Sequence, residues 1–97
     1  MTTTAIATTT GVANSAAISL VSNESIHVYA SKDLGIGEVV TLQVTPDAGT
    51  TWIPVIDAEY RGVVLSDTVQ NRIVTGPGTF RLNKSDTVLT TAIYYDQ

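Results

Sequence analysis

The acids Asp57 and Glu59 and the single histidine, His27, are the residues of this chain best suited to chemistry. Two residues along a β-strand span about 6.5 Å, and glycosidases place their two catalytic carboxyl groups about 5–10 Å apart. The spacing of the two acids therefore permits acid–base chemistry on a glycosidic bond. The run Asp-Ala-Glu before Arg61-Gly62 is equally typical of a turn, and a chain of 97 residues has little room for a cleft beside its core. We therefore predict that the chain is not an enzyme.

The neighbours of His27 favour a surface or interface position over a catalytic one. They alternate, so that Ser25 and Tyr29 share its side of a strand while Ile26 and Val28 face the other side. A lone histidine in a chain without cysteine does not make a convincing zinc or copper site. A Ser–His pair would also need an orienting carboxylate. We expect no catalytic residue, no metal and no cofactor.

Composition excludes several further classes of function. Charged residues make up 14% of the chain, well below the roughly 25% of an average globular protein. The net charge is −4 and the five basic residues are scattered, which argues against binding to nucleic-acid phosphates. Gly35-Ile36-Gly37 lacks the third glycine of a dinucleotide-binding loop. The sequence shows neither a long apolar run nor a signal-peptide pattern, so we expect synthesis in the cytoplasm and no membrane partner.

From residue 16 onward, apolar and polar residues alternate with the period of a β-strand. Short alternating runs separated by turn residues predict a single-domain antiparallel β-sandwich over residues 15–97, jelly-roll-like and with about eight strands. The expected strands are 16–21, 25–30, 38–45, 51–56, 61–65, 70–75, 78–83 and 88–95. The residues expected to point into the core are Ile26, Val28, Val40, Leu42, Val44, Phe80 and Leu82.

Residues 1–14 differ from the rest of the chain. Six of the first ten residues are threonine, and the segment has no charged side chain and no sustained period. Such a segment does not fold alone, and ordering it costs about 1–2 kcal/mol per residue in backbone entropy. We therefore predict an extended N-terminal arm over 1–14 that lies on a neighbouring subunit or another partner. Its candidate contact residues are Thr2, Thr3, Thr4, Ile6 and Val12.

The clearest local motif is the octet Thr-Pro-Asp-Ala-Gly-Thr-Thr-Trp over residues 45–52. It resembles the Asp-box, whose pattern is Ser/Thr-x-Asp-x-Gly-x-Thr-Trp. In this pattern Asp47 is expected to accept hydrogen bonds from backbone N–H groups two or three residues on, Gly49 to supply a positive φ, and Trp52 to pin the hairpin onto the core. We interpret the motif as a structural turn, since the Asp-box is a folding element in the families that carry it.

Residues 38–95 together resemble a group of small virion proteins of tailed bacteriophages. The similarity lies in the Asp-box-like hairpin, the segment Gly-Pro-Gly-Thr-Phe-Arg over 76–81, the turn that carries Lys84, and the closing Ala-Ile-Tyr-Tyr over 92–95. The resemblance implies an all-β decoration (cement) protein that binds the outer surface of the capsid. It implies the major capsid protein as partner, a homotrimeric state and no catalytic residues.

The last predicted strand carries apolar residues on both faces, with Ile93 and Tyr95 on one and Ala92 and Tyr94 on the other. Such a strand is either central in its sheet or an edge covered by a partner. We expect residues 88–95 to lie at or near a subunit contact, with Tyr94 and Tyr95 as candidate interface residues.

Two alternative functions remain open from the sequence. The first is a tail or neck subunit of the same virion. The second is a glycan-binding β-sandwich, for which five aromatic side chains offer platforms: Tyr29, Trp52, Tyr60, Tyr94 and Tyr95.

Overall fold

The computed structural model describes residues 2–55 and 63–97, and over these residues the protein is all-β. Ten strands and no helix occur in this part of the chain, so it also contains no helix able to span a membrane. The strands are β1 (Thr2–Thr9), β2 (Ala13–Asn14), β3 (Ile18–Leu20), β4 (Ser25–Ala30), β5 (Val40–Val44), β6 (Ile53–Pro54), β7 (Val63–Leu65), β8 (Asn71–Thr75), β9 (Gly78–Lys84) and β10 (Thr91–Asp96).

The strands form two antiparallel sheets. The first sheet has the order β1-β10-β4-β8, and the second has the order β2-β9-β5-β6, with β3 also paired to β9 and β7 to β5. Strands β2 and β3 pair with successive parts of β9, from Ala13↔Lys84 to Leu20↔Gly78. Strands β6 and β7 pair with opposite ends of β5. Each sheet therefore has four rows, since β2 and β3 share one row and β6 and β7 share another.

The inward-facing side chains of both sheets form one hydrophobic cluster. The first sheet contributes residues such as Ile26, Val28 and Ile93, and the second contributes residues such as Leu42 and Leu82. The alternation assigns seven residues to the core, and six of them are buried: Ile26, Val28, Val40, Leu42, Phe80 and Leu82. The seventh, Val44, is half-buried and packs against the same cluster. The structure therefore confirms the predicted all-β class and the packing of two antiparallel sheets around one core.

The extended N-terminal arm is not confirmed, because residues 2–9 form β1 in the chain's own first sheet. Strand β1 pairs antiparallel with β10, from Thr2↔Asp96 to Thr9↔Thr91. Ile6, which we expected to contact a partner, is only 3% exposed and belongs to the chain's own core. Backbone pairing to β10 and the burial of Ile6 act against the entropy cost of ordering the segment.

Strand β10 is central rather than at an edge. It lies between β1 and β4. Of its apolar residues, Ala92 and Ile93 are buried, and Tyr94 and Tyr95 are half-buried. The strand begins at Thr91, whereas the sequence had predicted a start at residue 88. The hydroxyls of Thr87 and Thr91 both donate to the Leu89 carbonyl, at 2.8 and 2.9 Å, and hold this segment as a loop.

Candidate binding surfaces

The residues first considered for catalysis are not brought together in the described structure. Asp57 and Glu59, and also Tyr60, lie outside the described residues. His27 is exposed, and its Nε2 lies 3.1 Å from Oδ1 of Asn71. Within residues 2–55 and 63–97 there is no cluster of three potential metal-ligating side chains and no pocket.

In the Asp-box-like turn, the positive φ of Gly49 and the role of Asp47 as acceptor are confirmed, but the Thr51 donor lies four residues after Asp47 rather than two or three. Asp47 Oδ1 accepts hydrogen bonds from the Thr51 N–H at 2.7 Å and from the Thr45 hydroxyl at 3.0 Å. Gly49 has a φ of 99°, and Ala48 before it has a φ of 60°. Hydrogen bonds from Thr51 hold the pKa of the Asp47 carboxyl below its usual value. The turn therefore uses its polar groups internally, as a structural element does.

Trp52 lies beside the second sheet, where it contacts a cation. The guanidinium carbon of Arg81 is 4.7 Å from the centre of the Trp52 ring, and Arg81 Nε donates to Gln43 Oε1 at 2.8 Å. The stacked guanidinium is a cation–π contact. It joins the end of the hairpin to β9 and β5. Trp52 is half-buried and is not among the side chains that form the hydrophobic cluster or pack against it, so the expected anchoring in the core is not observed.

Three loops meet at the opposite end of the sandwich from the Asp-box-like turn, and we call them the loop end: residues 10–12, 31–39 and 85–90. The Thr87 N–H donates to the Thr10 carbonyl at 2.9 Å, which joins the first loop to the third. The Ser85 N–H donates to the Val39 carbonyl at 2.9 Å, and the Val39 N–H returns a bond to the Ser85 hydroxyl at 2.9 Å. These bonds make the loop end one connected unit.

Two side chains reinforce the loop end from within. Glu38 accepts the Gly35 N–H on Oε1 at 2.7 Å and the Val88 N–H on Oε2 at 2.8 Å. Lys84 is fully buried, and its Nζ donates to the Gly11 carbonyl at 2.7 Å and the Ser85 carbonyl at 3.0 Å. Burial lowers the pKa of Lys84, while the nearby carboxylates of Asp86 and Glu38 oppose this shift.

The loop end exposes apolar side chains although hydrogen bonds hold its backbone in place. Ile36 is 94% exposed and Val88 is 87% exposed, with Val12 at 64% and Leu89 at 56%. Each loop of the group contributes at least one of the four. Scattered apolar residues on a surface are ordinary, but several on one connected unit mark a candidate interaction site.

Glu38 leads to a prediction about acid stability. The hydrogen bonds from Gly35 and Val88 hold its pKa below the ordinary value of 4.5. Between the two pKa values the unfolded chain therefore binds more protons than the folded chain. The stabilisation by Glu38 is present above about pH 4.5 and is lost as the pH falls through the folded pKa. We expect Glu38→Gln to lower the thermal midpoint near neutral pH and to flatten its decline between about pH 6 and pH 3. Circular dichroism melts across this range measure both effects, with Glu24→Gln as the matched control. Parallel pH profiles for the wild type and Glu38→Gln would contradict this account of Glu38.

The outward side of the first sheet carries a second candidate surface, which we call the aromatic face. Residues paired across antiparallel strands point to the same side of the sheet. One outward row runs Thr4, Tyr94, Tyr29 and Asn71, and the next runs Thr2, Asp96, His27 and Ile73. The register thus brings together side chains from β1, β10, β4 and β8 that are up to 94 residues apart in the sequence.

Contacts within the aromatic face fix its side chains. The ring centres of Tyr29 and Tyr94 are 5.8 Å apart, and those of His27 and Tyr29 are 5.4 Å apart. Asp96 Oδ1 accepts the Thr2 hydroxyl at 2.5 Å and the Tyr29 hydroxyl at 3.2 Å. The hydrogen bond from Thr2, and to a smaller extent that from Tyr29, lowers the pKa of Asp96. The face therefore holds two tilted tyrosine rings beside an ionised carboxylate.

Comparisons with protein-family models, with curated proteins and with solved structures found no match to this chain.

The predicted interface residues fall into three groups. Thr2, Thr3 and Thr4 are exposed on the edge strand β1, and Val12 is exposed at the loop end. Tyr94 lies on the aromatic face, whereas Tyr95 is half-buried against the core. Ile6 is buried in the chain's own core.

Sequence reasoning missed Ile36, Glu38 and Val88 as parts of a surface. Ile36 could have been found, because it lies in a turn between two glycines and outside any alternating run that would place it in the core. Val88 was instead assigned to the last strand. The role of Glu38 depends on a bond to a residue 50 positions away, for which the sequence has no local signal.

Proposed function

We propose that this chain is a structural protein of a bacteriophage virion, a decoration (cement) protein made in the host cytoplasm that binds the major capsid protein on the outer surface of the head. The observation that carries the proposal is the loop end, a hydrogen-bonded unit from which Ile36, Val88, Val12 and Leu89 project into solvent. The resemblance of residues 38–95 to small phage virion proteins supports the same assignment. A tail or neck subunit that uses the same surface is the alternative location within the virion.

The proposal includes a jelly-roll fold, supported by the order in which the strands pair. If β2 and β3 count as one row and β6 and β7 as another, the chain has eight rows. β1 pairs with β10, β2 and β3 pair with β9, β4 pairs with β8, and β5 pairs with β6 and β7. This nested pairing is that of a long antiparallel ribbon rolled into two sheets. Jelly rolls are frequent among viral capsid proteins and lectins.

The loop end has the character expected of a docking surface. Burying an exposed isoleucine or valine side chain contributes about 1.5–3 kcal/mol, so two such side chains supply useful affinity at each site. The three loops contain one basic residue, Lys32, and three acidic residues, Asp33, Glu38 and Asp86, so their net charge is 1 − 3 = −2. The complementary capsid surface would therefore be apolar with a basic rim.

We further propose that the protein is a homotrimer on the capsid. Many copies bound with symmetry gain avidity from modest contacts, which suits a small protein with few charges. Thr2, Thr3 and Thr4 on the open edge of β1 are the residues best placed to meet a neighbouring copy, because an uncharged edge strand accepts another strand.

Binding to undecorated heads tests the proposed function. Heads from a phage that lacks this gene would be incubated with the wild-type protein or with the double variant Ile36→Ser/Val88→Ser, and the bound fraction measured after sedimentation. We expect the wild type to bind and the double variant to bind at least about tenfold more weakly. The matched control is Ile73→Ser, which removes a similarly exposed apolar side chain from the other candidate surface. Failure of the wild-type protein to bind heads, or equal binding by the double variant, would contradict the proposal.

A further inference from the structure

We propose that the aromatic face, centred on Tyr29, Tyr94 and Asp96, is a binding site for neutral carbohydrate chains. The site is separate from the loop end and gives the protein a second activity, adhesion to a polysaccharide. It does not depend on the capsid-binding function, because it rests on a different surface and on different side chains.

The tyrosine pair supplies the apolar part of such a site. An aromatic ring has a negative face, and the C–H groups on one side of a sugar ring are weakly positive, so the two stack. Tyr29 and Tyr94 lie on adjacent strands with ring centres 5.8 Å apart and an interplanar angle of 50°. Both are half-buried on the outward side of the sheet, which holds them in place and leaves ring surface accessible.

Asp96 supplies the polar part. Its carboxylate already accepts two hydroxyl groups, those of Thr2 and Tyr29, both on Oδ1. A sugar offers the same kind of donor in adjacent hydroxyl groups, which a carboxylate binds through charge-assisted hydrogen bonds. Asn71 and His27, already joined to each other, lie beside the tyrosines and add an amide and an imidazole within the same two rows.

The charge of the face selects among carbohydrates. The two outward rows of the described strands contain one acidic side chain, Asp96, and no lysine or arginine. An acidic sugar such as a uronic acid would meet a like charge, whereas a neutral hexose or N-acetylhexosamine would not. The chain as a whole is also acidic, with a net charge of −4. Neutral sugars are therefore the favoured class.

The openness of the face favours a long chain over a single sugar. Sites for small molecules are usually concave and enclose most of their ligand, but the described residues form no pocket. An open platform stacks on one side of successive units of a polysaccharide. Affinity per site would be modest, and many copies on one particle would raise it by avidity.

The test uses the full-length protein and an array of oligosaccharides containing glucose, galactose, mannose, N-acetylglucosamine and N-acetylgalactosamine, with oligogalacturonate as the acidic comparison. We expect binding to at least one neutral oligosaccharide and none to oligogalacturonate. Tyr94→Ala should reduce the signal at least tenfold, and Asp96→Asn should reduce it severalfold. Tyr94→Leu, which keeps much of the apolar contact of the side chain with the sheet, should lose binding as Tyr94→Ala does.

The loop-end variant Ile36→Ser/Val88→Ser is the matched control and should bind the array as the wild type does. This control separates the two proposals, because Tyr94→Ala should in turn bind undecorated heads normally. No binding to any neutral oligosaccharide would overturn the proposed site, and so would equal binding by Tyr94→Leu and the wild type. If Tyr94→Ala instead loses head binding and binds the array as the wild type does, the aromatic face is a protein interface.

Discussion

Deletion of residues 2–9 is expected to abolish folding of the whole chain. The deletion removes β1 and with it the paired neighbour of β10. It also removes Ile6 from the core and uncovers Ile93, which is fully buried. Loss of a buried isoleucine alone costs about 2–5 kcal/mol, and each lost backbone hydrogen bond adds about 1 kcal/mol. The sum is comparable to the total stability of a small domain, about 5–15 kcal/mol.

Circular dichroism and a one-dimensional proton NMR spectrum of the truncated chain measure this effect. The variant Ile6→Ala keeps the strand and should fold, with a thermal midpoint well below that of the wild type. Replacing Thr2, Thr3 and Thr4 with serine is the matched control, because their side chains are exposed and the pairing to β10 is kept. A truncated chain with a native spectrum and an unchanged thermal midpoint would show that the segment is a separable arm, as the sequence had suggested.

Replacement of Lys84 is expected to have the second largest effect. The side chain is fully buried at the end of β9, on the same inward side as Phe80 and Leu82. Its Nζ donates to the carbonyls of Gly11 and Ser85 and so joins the loop after β1 to the loop after β9. Lys84→Ala would leave a cavity and two carbonyls without their donor, at a cost of about 3 kcal/mol or more. That corresponds to a thermal midpoint lowered by roughly 12–24 °C.

Two further variants separate the contributions of packing and hydrogen bonding at Lys84. Lys84→Met keeps most of the side-chain volume and removes the hydrogen-bond donor. We expect it to lower the free energy of unfolding by about 1–2 kcal/mol, which is less than the loss for Lys84→Ala. Lys32→Ala is the matched control, since Lys32 lies exposed on a nearby loop and its removal should change the midpoint little. If Lys84→Ala melts at the wild-type temperature, the lysine does not hold the two loops together.

Much of the fold can be predicted from the alternation of apolar and polar residues and from the residue types in the turns. The segment 25–30 was predicted as a strand and is β4 with the same bounds, because Ile26 and Val28 alternate cleanly with polar residues. Pro54 lies in β6, at the edge of the second sheet, where a proline is tolerated because no ladder bond is lost. The Asp47–Gly49 turn was equally legible, since its hydrogen bonds are local.

Strand β1 was not predicted because irregular pairing hides its period. Its register with β10 shifts between Thr4 and Ile6 and again between Ile6 and Thr9. Each irregularity breaks the alternation that marks a strand. The high β-propensity of threonine was the signal that remained.

The candidate surfaces were less predictable than the strands. The aromatic face depends on the register of four strands, and Asp96 meets Thr2 only because β1 returns to pair with β10. The loop end depends on bonds between distant loops, such as that from Val88 to Glu38. Val12 is exposed and Tyr94 is half-buried, but nothing in the sequence assigns them to separate surfaces.

The most direct test of the proposed function is a cryo-electron microscopy reconstruction of undecorated heads saturated with the full-length protein. We predict ordered density at symmetry-related positions of the outer capsid surface. The loop end, with Ile36 and Val88, should face the shell, and the aromatic face, with Tyr94, should remain open to solvent. Heads that show no added density, or density only at the tail or neck, would contradict assignment as a head decoration protein.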